Sequence, residues 1–361
     1  MMNLNRQAFR RTVFNRDNQT CVVPYCEADA EDAHHIIERS VWDGGGYVPD
    51  NGASVCSYHH KAAERNLIPP QAFWMWIGVL TPPLPETVNS MYINKWAESY
   101  SQPPWKQYRQ RIKYPSTRHL PFSHIGDDDD TYFRSVKSFL DVPLVITHKL
   151  DGSNAMLIKD TDEPVRARNG SHADHESFDQ LKQLYWECET HEQLPENIQV
   201  FGEWMHEKHS IHYGCDCADP CEDQGPPLDT LARGRYADQR QAYFFVFGVY
   251  NTDYDLWLSW PSTVRIAESL GFPTSPVIKQ SDREDEPLYT NEGQFYHDVN
   301  GLAESVVSEG GEGIVIRRKY PFHYDQFSDS VGKYVRRNHV KTGEKHWRSQ
   351  DHPVNNIYLF D

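Results

Sequence analysis

Two short pairs of soft metal ligands constrain this chain most. Cys21 and Cys26 lie in "CVVPYC", Cys56 and His59 lie in "CSYH", and one loop separates the pairs. A tetrahedral Zn²⁺ site is built this way, because each short pair fills two corners and the loop brings the pairs together. The surrounding residues, 1–70, are rich in Cys, His, Asp and Gly and poor in long apolar runs, the profile of a small fold stapled by metal. The chain has seven cysteines, an odd number, with three of them before residue 60. In a reducing compartment that clustering favours metal over disulfides. Cys215, Cys217 and Cys221 form a second group in "CDCADPC", but four good ligands are missing there and an ordinary loop is expected.

At 361 residues, with 38% hydrophobic and 13% aromatic content, the chain is long enough for two or three packed cores. No apolar run approaches the roughly 20 residues that span a bilayer. The start "MMNLNRQAFRRTVF" also lacks the apolar centre of a signal peptide. A soluble, intracellular, cytoplasmic protein with no membrane partner is expected. The formal charge of −16 excludes a protein that coats nucleic acid by bulk attraction. Charge is uneven, however: between Arg317 and Arg348 lie nine Lys or Arg against three carboxylates, a stretch suited to a polyanion or to a solvated rim. The "DDDD" run at 127–130 reads as a solvated loop.

The chain divides into four segments. Residues 1–70 hold the metal ligands, and 71–111 form a helical, aromatic connector broken by prolines. Over 112–341 the apolar strands "LVITHKL", "AMLIKD", "NIQVFGEW", "AYFFVFGVY" and "EGIVIRR" recur between inserts of uneven length and polarity. That irregularity predicts an α+β fold rather than a βαβ alternation. Residues 342–361 are a carboxy-terminal tail.

Inside the amino-terminal segment, His34, His35, Asn51 and His60 follow in an order that resembles the HNH nuclease motif of the ββα-metal fold. The resemblance implies that His34 and His60 bind a divalent metal. It implies that His35 activates water as a general base and that Asn51 orients it. A neutral imidazole near pH 7 suits that task. Two readings stand, a live nuclease and a zinc-stabilised module that only grips nucleic acid.

In "LVITHKLDGSNAMLI" Lys149 ends a run that reads as a buried strand. A charged amine is costly there unless paired or put to work. Downstream follow Arg168 in "RARNG", Glu203 in "VFGEW", Phe247 in "FFVFGVY", Glu312 in "EGIVIRR", and Lys333 and Arg336 in "GKYVRR". With Asp151 and Gly152 of Lys-Leu-Asp-Gly, this series resembles the covalent nucleotidyltransferase superfamily of polynucleotide ligases and RNA capping enzymes. The implied fold is a nucleotidyltransferase (ATP-grasp-like ligase) core of antiparallel sheets with helices.

Each residue type suits the role the resemblance implies. Lys149 attacks the α-phosphorus of a nucleoside triphosphate. Its ordinary pKa of about 10.4 must be lowered by desolvation, a bound metal or the nearby Lys333. Lys333, Arg336 and Mg²⁺ or Mn²⁺ balance the charge that develops on phosphorus. Phe247 stacks on the base, with Phe245 a rival two positions away on the same strand face. Glu203 accepts from ribose hydroxyls, Arg168 holds ribose or substrate phosphate, and Glu312 holds the divalent metal. Gly248 stands where relatives often carry Asp, which leaves one local contact open.

Only 28 residues follow Lys333, whereas the OB domain of DNA ligases and capping enzymes needs about 70 to 100. RNA ligases are therefore the expected branch. "GEWMHEKHSIHYG" and "RHLPFS" are similar to segments of the phage and bacterial RNA ligases, so a phage origin is also expected as one option. The resemblance implies ATP-dependent joining of RNA ends, on a nicked duplex or a broken tRNA-like loop, through a lysyl-AMP and an adenylylated 5′ end. A DNA ligase, a capping-type guanylyltransferase, an HNH nuclease fused to a nucleotide-binding module and a non-catalytic binding module remain the alternatives.

Overall fold

Asn5 begins the first helix by accepting a hydrogen bond from the Ala8 amide at 2.9 Å, which satisfies one of the free donors of the first turn. The computed structural model of the chain describes residues 4–79 except 25, 27 and 65–67, residues 112–124, residues 131–336 except 161, 208, 210, 214–223, 226–235 and 283–285, and residue 355. It forms two units. One comprises Met1–Gln110 with Thr252–Trp257 and Tyr320–Asp325, and the other the remaining residues.

In the first unit, helix α1 (Arg6–Arg16) buries Phe9 and Val13 against a two-stranded antiparallel sheet of β1 (Asp32–His35) and β2 (Gly52–Val55). A side chain at Gly52 would meet Val13 at 2.5 Å and Phe9 at 2.6 Å, so a glycine is what lets the helix lie this close. Helix α2 (Ser57–Glu64) follows β2 directly, giving the local order strand, strand, helix. Helix α3 (Pro70–Trp76) adds Phe73 and Trp74 to a core that also takes Ile36, Trp42, Val55, Leu256 and Tyr320. Residues 252–257 and 320–325 belong to this unit although they lie within the 112–341 stretch that the sequence assigns to the second fold.

Among the described residues the second unit carries a short parallel pair, His212–Tyr213 with Gln224–Gly225, and two larger sheets. One is ordered β9 (Val277–Gln280), β4 (Leu144–Lys149), β10 (Gly313–Arg318), β11 (Val331–Val335), β3 (Arg118–His119). It is antiparallel except for the β11–β3 pair. In the other, β8 (Phe244–Asn251), β7 (Ile198–Trp204), β5 (Ser153–Leu157) and β6 (Val165–Ala167) run antiparallel in that order. The first four residues of β4 are wholly buried, which is why it reads as a continuous apolar run rather than an alternation. Helix α4 (Glu292–Ser308) is capped by Asn291 and turns Phe295, Val299, Ala303 and Val306, one helical face, into the core. The unit is α+β. Of the segments singled out in sequence, 80–111, "DDDD", Cys215, Cys217, Cys221 and the tail other than Asn355 lie outside the described residues. Among the described residues no helix is long and apolar enough to cross a membrane.

Candidate active site and metal centre

Lys149 is the last residue of β4 and stands opposite Gly313, which in turn stands opposite Val335. Two positions along, Thr147, Val315 and Lys333 face one another in the same way, as do Val145, Arg317 and Val331. Directly opposed residues share a face of a sheet, so Lys149, Lys333 and Arg317 emerge on one side. That side looks toward β8, because the Arg317 guanidinium donates to the Phe247 carbonyl at 3.1 Å and to the Leu258 carbonyl at 2.7 Å.

Carboxylates surround the amine. Lys149 Nζ is ion-paired with Glu312 Oε1, and Glu312 is buried at 1% exposure. A side chain at Gly313 would meet the Tyr334 carbonyl at 2.0 Å, so only glycine permits the approach that brings Glu312 to the lysine. The Gly152 amide donates to Glu203 Oε1 at 3.1 Å. Asp151 is buried and clamped at both ends: its amide donates to the Tyr213 hydroxyl at 3.2 Å, and its Oδ2 accepts from the Ile211 amide at 2.8 Å. Gly152 has no room for a side chain, since a Cβ would lie 2.6 Å from the Trp204 carbonyl and 2.7 Å from the Met205 sulfur.

Electrostatics here depart from the sequence expectation of a lysine held below its ordinary pKa. Desolvation, the largest single influence, does push Lys149 down, but Glu312, Glu203 and Asp151 together outweigh it and its pKa is raised. Burial in turn lifts Glu203 to about 8, against the attraction of Lys149. Glu312 is lifted by burial to about 7, with Lys149 and Lys333 both acting to lower it. The protein without ligand therefore stores protons on this cluster. A divalent cation bound to these carboxylates would withdraw the negative charge that keeps the amine protonated.

The remaining positions separate into near and far. Arg336 donates its backbone amide to the Glu312 carbonyl at 2.9 Å, so it and Lys333 lie on the strand beside the carboxylates. Phe247 is partly exposed while Phe245 is fully buried among Leu150, Met205 and Tyr213. The register of β8 against β7 shifts between Val246 and Gly248, so alternate residues do not share a face across Phe247, as a regular strand would require. Tyr114 packs edge-on to Phe247 at 4.9 Å. Arg168 is exposed on the turn after β6 and reaches the Pro115 carbonyl at 3.4 Å.

The basic stretch is partly internal. Arg317 is bound as above, Arg318 donates to the Ser138 carbonyl at 2.9 Å, and Lys319 donates to the Ser281 carbonyl at 2.9 Å. Three of the nine cations thus serve backbone carbonyls rather than a polyanion. The apolar run "GIVI" leading directly into Arg317 was the available signal, because a cation in a buried strand must be paired.

In the first unit, Cys21, Cys26, Cys56 and His59 bring one ligand atom each within 4.8 Å of one another. His59 Nδ1 lies 3.3 Å from both the Cys21 and the Cys56 sulfur, and the Cys26 and Cys56 sulfurs are 3.9 Å apart. Tetrahedral zinc with Cys and His ligands has edges of about 3.5 to 3.8 Å, so the donor set fits such an ion. The hydrogen bond between the Cys21 and Cys56 sulfurs pushes the Cys21 thiol up and draws the Cys56 thiol below the ordinary thiol range, with His59 acting in the same direction on Cys56, so the pair readily offers one thiolate ligand.

Beside it lies a cavity of about 640 Å³ lined by His34, His35, His60, Arg6, Arg39 and Tyr47, among others. His35 is stacked on Phe9 at 4.5 Å and edge-on to Tyr47 at 5.0 Å. Burial, then the charges of Arg39, Arg6 and His60, lower its pKa to about 4, so it is neutral at pH 7. His34 and His60 are ring neighbours at 5.3 Å, and His60 lies between Asp32 at 3.2 Å and Glu64 at 3.5 Å. Asn51 is fully buried and spans the loop, accepting from the Ile37 amide at 2.8 Å and donating to the Ile37 and Gly46 carbonyls at 3.1 Å. Its polar atoms hold backbone, and the groups against the His35 ring are Phe9 and Tyr47, neither of which the motif order singles out.

A family model described as RNA ligase matches residues 142–335. No curated protein sequence matches the chain. Among solved structures the chain is similar to an archaeal ATP-dependent RNA ligase at 13% identity and a TM-score of 0.38, covering 62% of this chain and 48% of that one. It is also similar to an RNA ligase of Naegleria gruberi, solved as a mutant with ATP and manganese, at 16% identity and 0.38, covering 62% and 56%. A putative ATP-dependent DNA ligase from Aquifex aeolicus matches at 16% identity and 0.36, covering 55% and 45%. The chain spans about half the length of these proteins.

Proposed function

We infer, from the premise that this chain belongs to the RNA ligase family, that it is an ATP-dependent RNA ligase working through a lysyl-AMP on Lys149. The observation that carries this reading is the setting of Lys149: one amine, ringed by Glu312, Glu203 and Asp151, on the same sheet face as Lys333.

The Lys149 amine, once deprotonated, attacks the α-phosphorus of ATP. A P–N bond forms, the bond to the β-phosphate oxygen breaks and pyrophosphate leaves. Lys333 and Arg336 neutralise charge on the phosphates, and Phe247 offers its partly exposed ring to adenine. Glu203 accepts from ribose hydroxyls, and Arg168 engages ribose or the substrate phosphate. Glu312 and Glu203 would hold Mg²⁺ or Mn²⁺, which supplies Lewis-acid charge at the phosphates. AMP then passes to an RNA 5′-phosphate, and a 3′-hydroxyl displaces it to join the ends. With both ends held in line, positioning carries much of this last step. The physiological task that fits is repair of broken RNA, at a nick or in a tRNA-like loop.

Zinc at Cys21, Cys26, Cys56 and His59 holds the HNH-like unit together, and that unit helps bind the RNA. A second reading, that it also cuts, is favoured by a neutral His35 beside Arg6 and Arg39 in the cavity. Incubation with ATP labelled at the α-phosphate tests the first reading: label should become covalent and be lost in Lys149→Ala. Labelling by GTP instead would indicate a capping-type enzyme. Metal-dependent cutting that is lost in His35→Ala would establish the second reading, and binding without cutting would reject it.

A further inference from the structure

The inference rests on the ligase reading and concerns a residue that neither motif order nor family match singles out. We propose that Asn355, in the carboxy-terminal tail, is a positioning residue for attack by Lys149, acting through the 205–213 segment that clamps Asp151.

Asn355 is fully buried, and all four of its polar groups are engaged. Its side-chain Nδ2 donates to the Met205 carbonyl at 2.6 Å and to the Glu207 carbonyl at 3.1 Å, while Oδ1 accepts from the Tyr213 amide at 3.1 Å. Its backbone amide donates to the His206 carbonyl at 2.9 Å, and its carbonyl accepts from the Tyr243 hydroxyl at 2.8 Å. One side chain thus ties the start of the 205–213 segment to its end. These are buried backbone groups, which must be paired somewhere, and a tail residue pairs them.

What this segment touches gives the tie its consequence. Ile211 and Tyr213 hold the two ends of Asp151, and Met205 closes the space over Gly152. Asp151 and Gly152 follow Lys149 by two and three residues, so their placement fixes the direction in which the amine emerges. The chain is Asn355, then Met205 and Tyr213, then Asp151 and Gly152, then Lys149. Attack on phosphorus needs alignment, and a misplacement of about 1 Å can cost about a hundredfold in rate.

The test uses full-length protein and three readouts: the single-turnover rate of Lys149 labelling at saturating ATP, the ATP concentration giving half that rate, and sealing of pre-adenylylated RNA. Asn355→Ala should slow labelling about tenfold or more. The half-saturating ATP concentration and the sealing of pre-adenylylated ends should change by less than about threefold, all readouts being taken below a melting temperature that falls because three buried backbone groups lose their partner. Tyr243→Phe keeps the ring and removes one hydrogen bond, so it should slow labelling about two- to fivefold in the same selective way. Labelling in both variants within about twofold of native, or losses equal across all readouts, would overturn the proposal. Native protein that takes up no label overturns the ligase reading and this inference with it; normal native labelling with unaffected variants overturns this inference alone.

Discussion

Glu312 reaches Lys149 because Gly313, the residue after it, pairs directly with Lys149 across two antiparallel strands although 164 residues separate them in sequence. The ladder register sets the ion pair. The same register puts Lys333 on the lysine's face, so one sheet carries the amine, its carboxylate partner and a cation for phosphate.

The raised pKa of Lys149 makes its labelling pH-dependent. At saturating ATP and fixed Mg²⁺ or Mn²⁺, the labelling rate should climb from about pH 6 to about pH 9, since only the free amine attacks. A flat or falling profile would exclude deprotonation of this amine as the controlling event.

Lys149, Glu312 and Glu203 titrate as one cluster, with the two carboxyls lifted to about 7 and about 8, and a divalent cation bound there must displace protons from it. Calorimetric titration with Mn²⁺ in two buffers of different ionisation enthalpy should show proton release, and tighter binding as pH rises. Stability has the opposite sign. Carboxyls with raised pKa contribute fully below the ordinary carboxylate range and lose that contribution as pH passes through about 7 and 8. The ligand-free protein should melt lower at about pH 9 than at about pH 6, with Glu203→Gln reducing the slope.

Gly152→Ala would force a methyl within 2.6 Å of the Trp204 carbonyl. Overpacking of this kind costs about 1–3 kcal/mol, and it also strains the amide that Glu203 accepts from. Lost labelling with a lowered melting temperature is expected, and native behaviour in both would show that the loop can yield.

How much of this was legible depends on distance along the chain. The Cys and His pairs announce their meeting by local spacing, and β4, β7, β8 and β10 announce themselves by apolar runs. Motif order brought Lys149, Glu203, Glu312 and Lys333 into one hypothesis. Register is not local, so the protonated state of Lys149 was out of reach: three carboxylates from separate segments had to be placed before their sum could exceed desolvation. The bulge at Phe247 was equally hidden, because period-two reasoning assumes a regular strand. Asn355 gave no signal, since a polar residue in a tail looks solvated until its partners are known.

Metal analysis of the native protein should find about one zinc per chain at the Cys21, Cys26, Cys56 and His59 site. Cys56→Ser or a strong chelator should shift the fluorescence of Trp42 and Trp74, which are buried in the same core. Protein that binds no zinc, or whose fluorescence ignores its removal, would contradict a structural metal.

Phe245 and Phe247 should behave differently despite their spacing. Phe245→Ala opens a void in a closed cluster and should cost about 3–5 kcal/mol in denaturant unfolding. Phe247→Ala should cost much less stability and instead raise the ATP concentration needed for half-maximal labelling. An unchanged ATP requirement would remove Phe247 from the nucleotide pocket.

Arg317 separates a structural cation from an RNA-binding one. The residue is 5% exposed, its guanidinium donates to the Phe247 and Leu258 carbonyls, and burial lowers its pKa to about 10. Arg317→Met would leave both carbonyls without this donor, at about 1–3 kcal/mol each, and the melting temperature should fall accordingly. Removing a cation bonded to RNA phosphate would instead reduce the dependence of RNA affinity on salt, because fewer counterions are released on binding. The slope of log affinity against log salt should therefore be the same for Arg317→Met as for the native protein, once both are measured below their melting temperatures. A slope reduced by about one would place Arg317 on the RNA and overturn its assignment to the sheet interior.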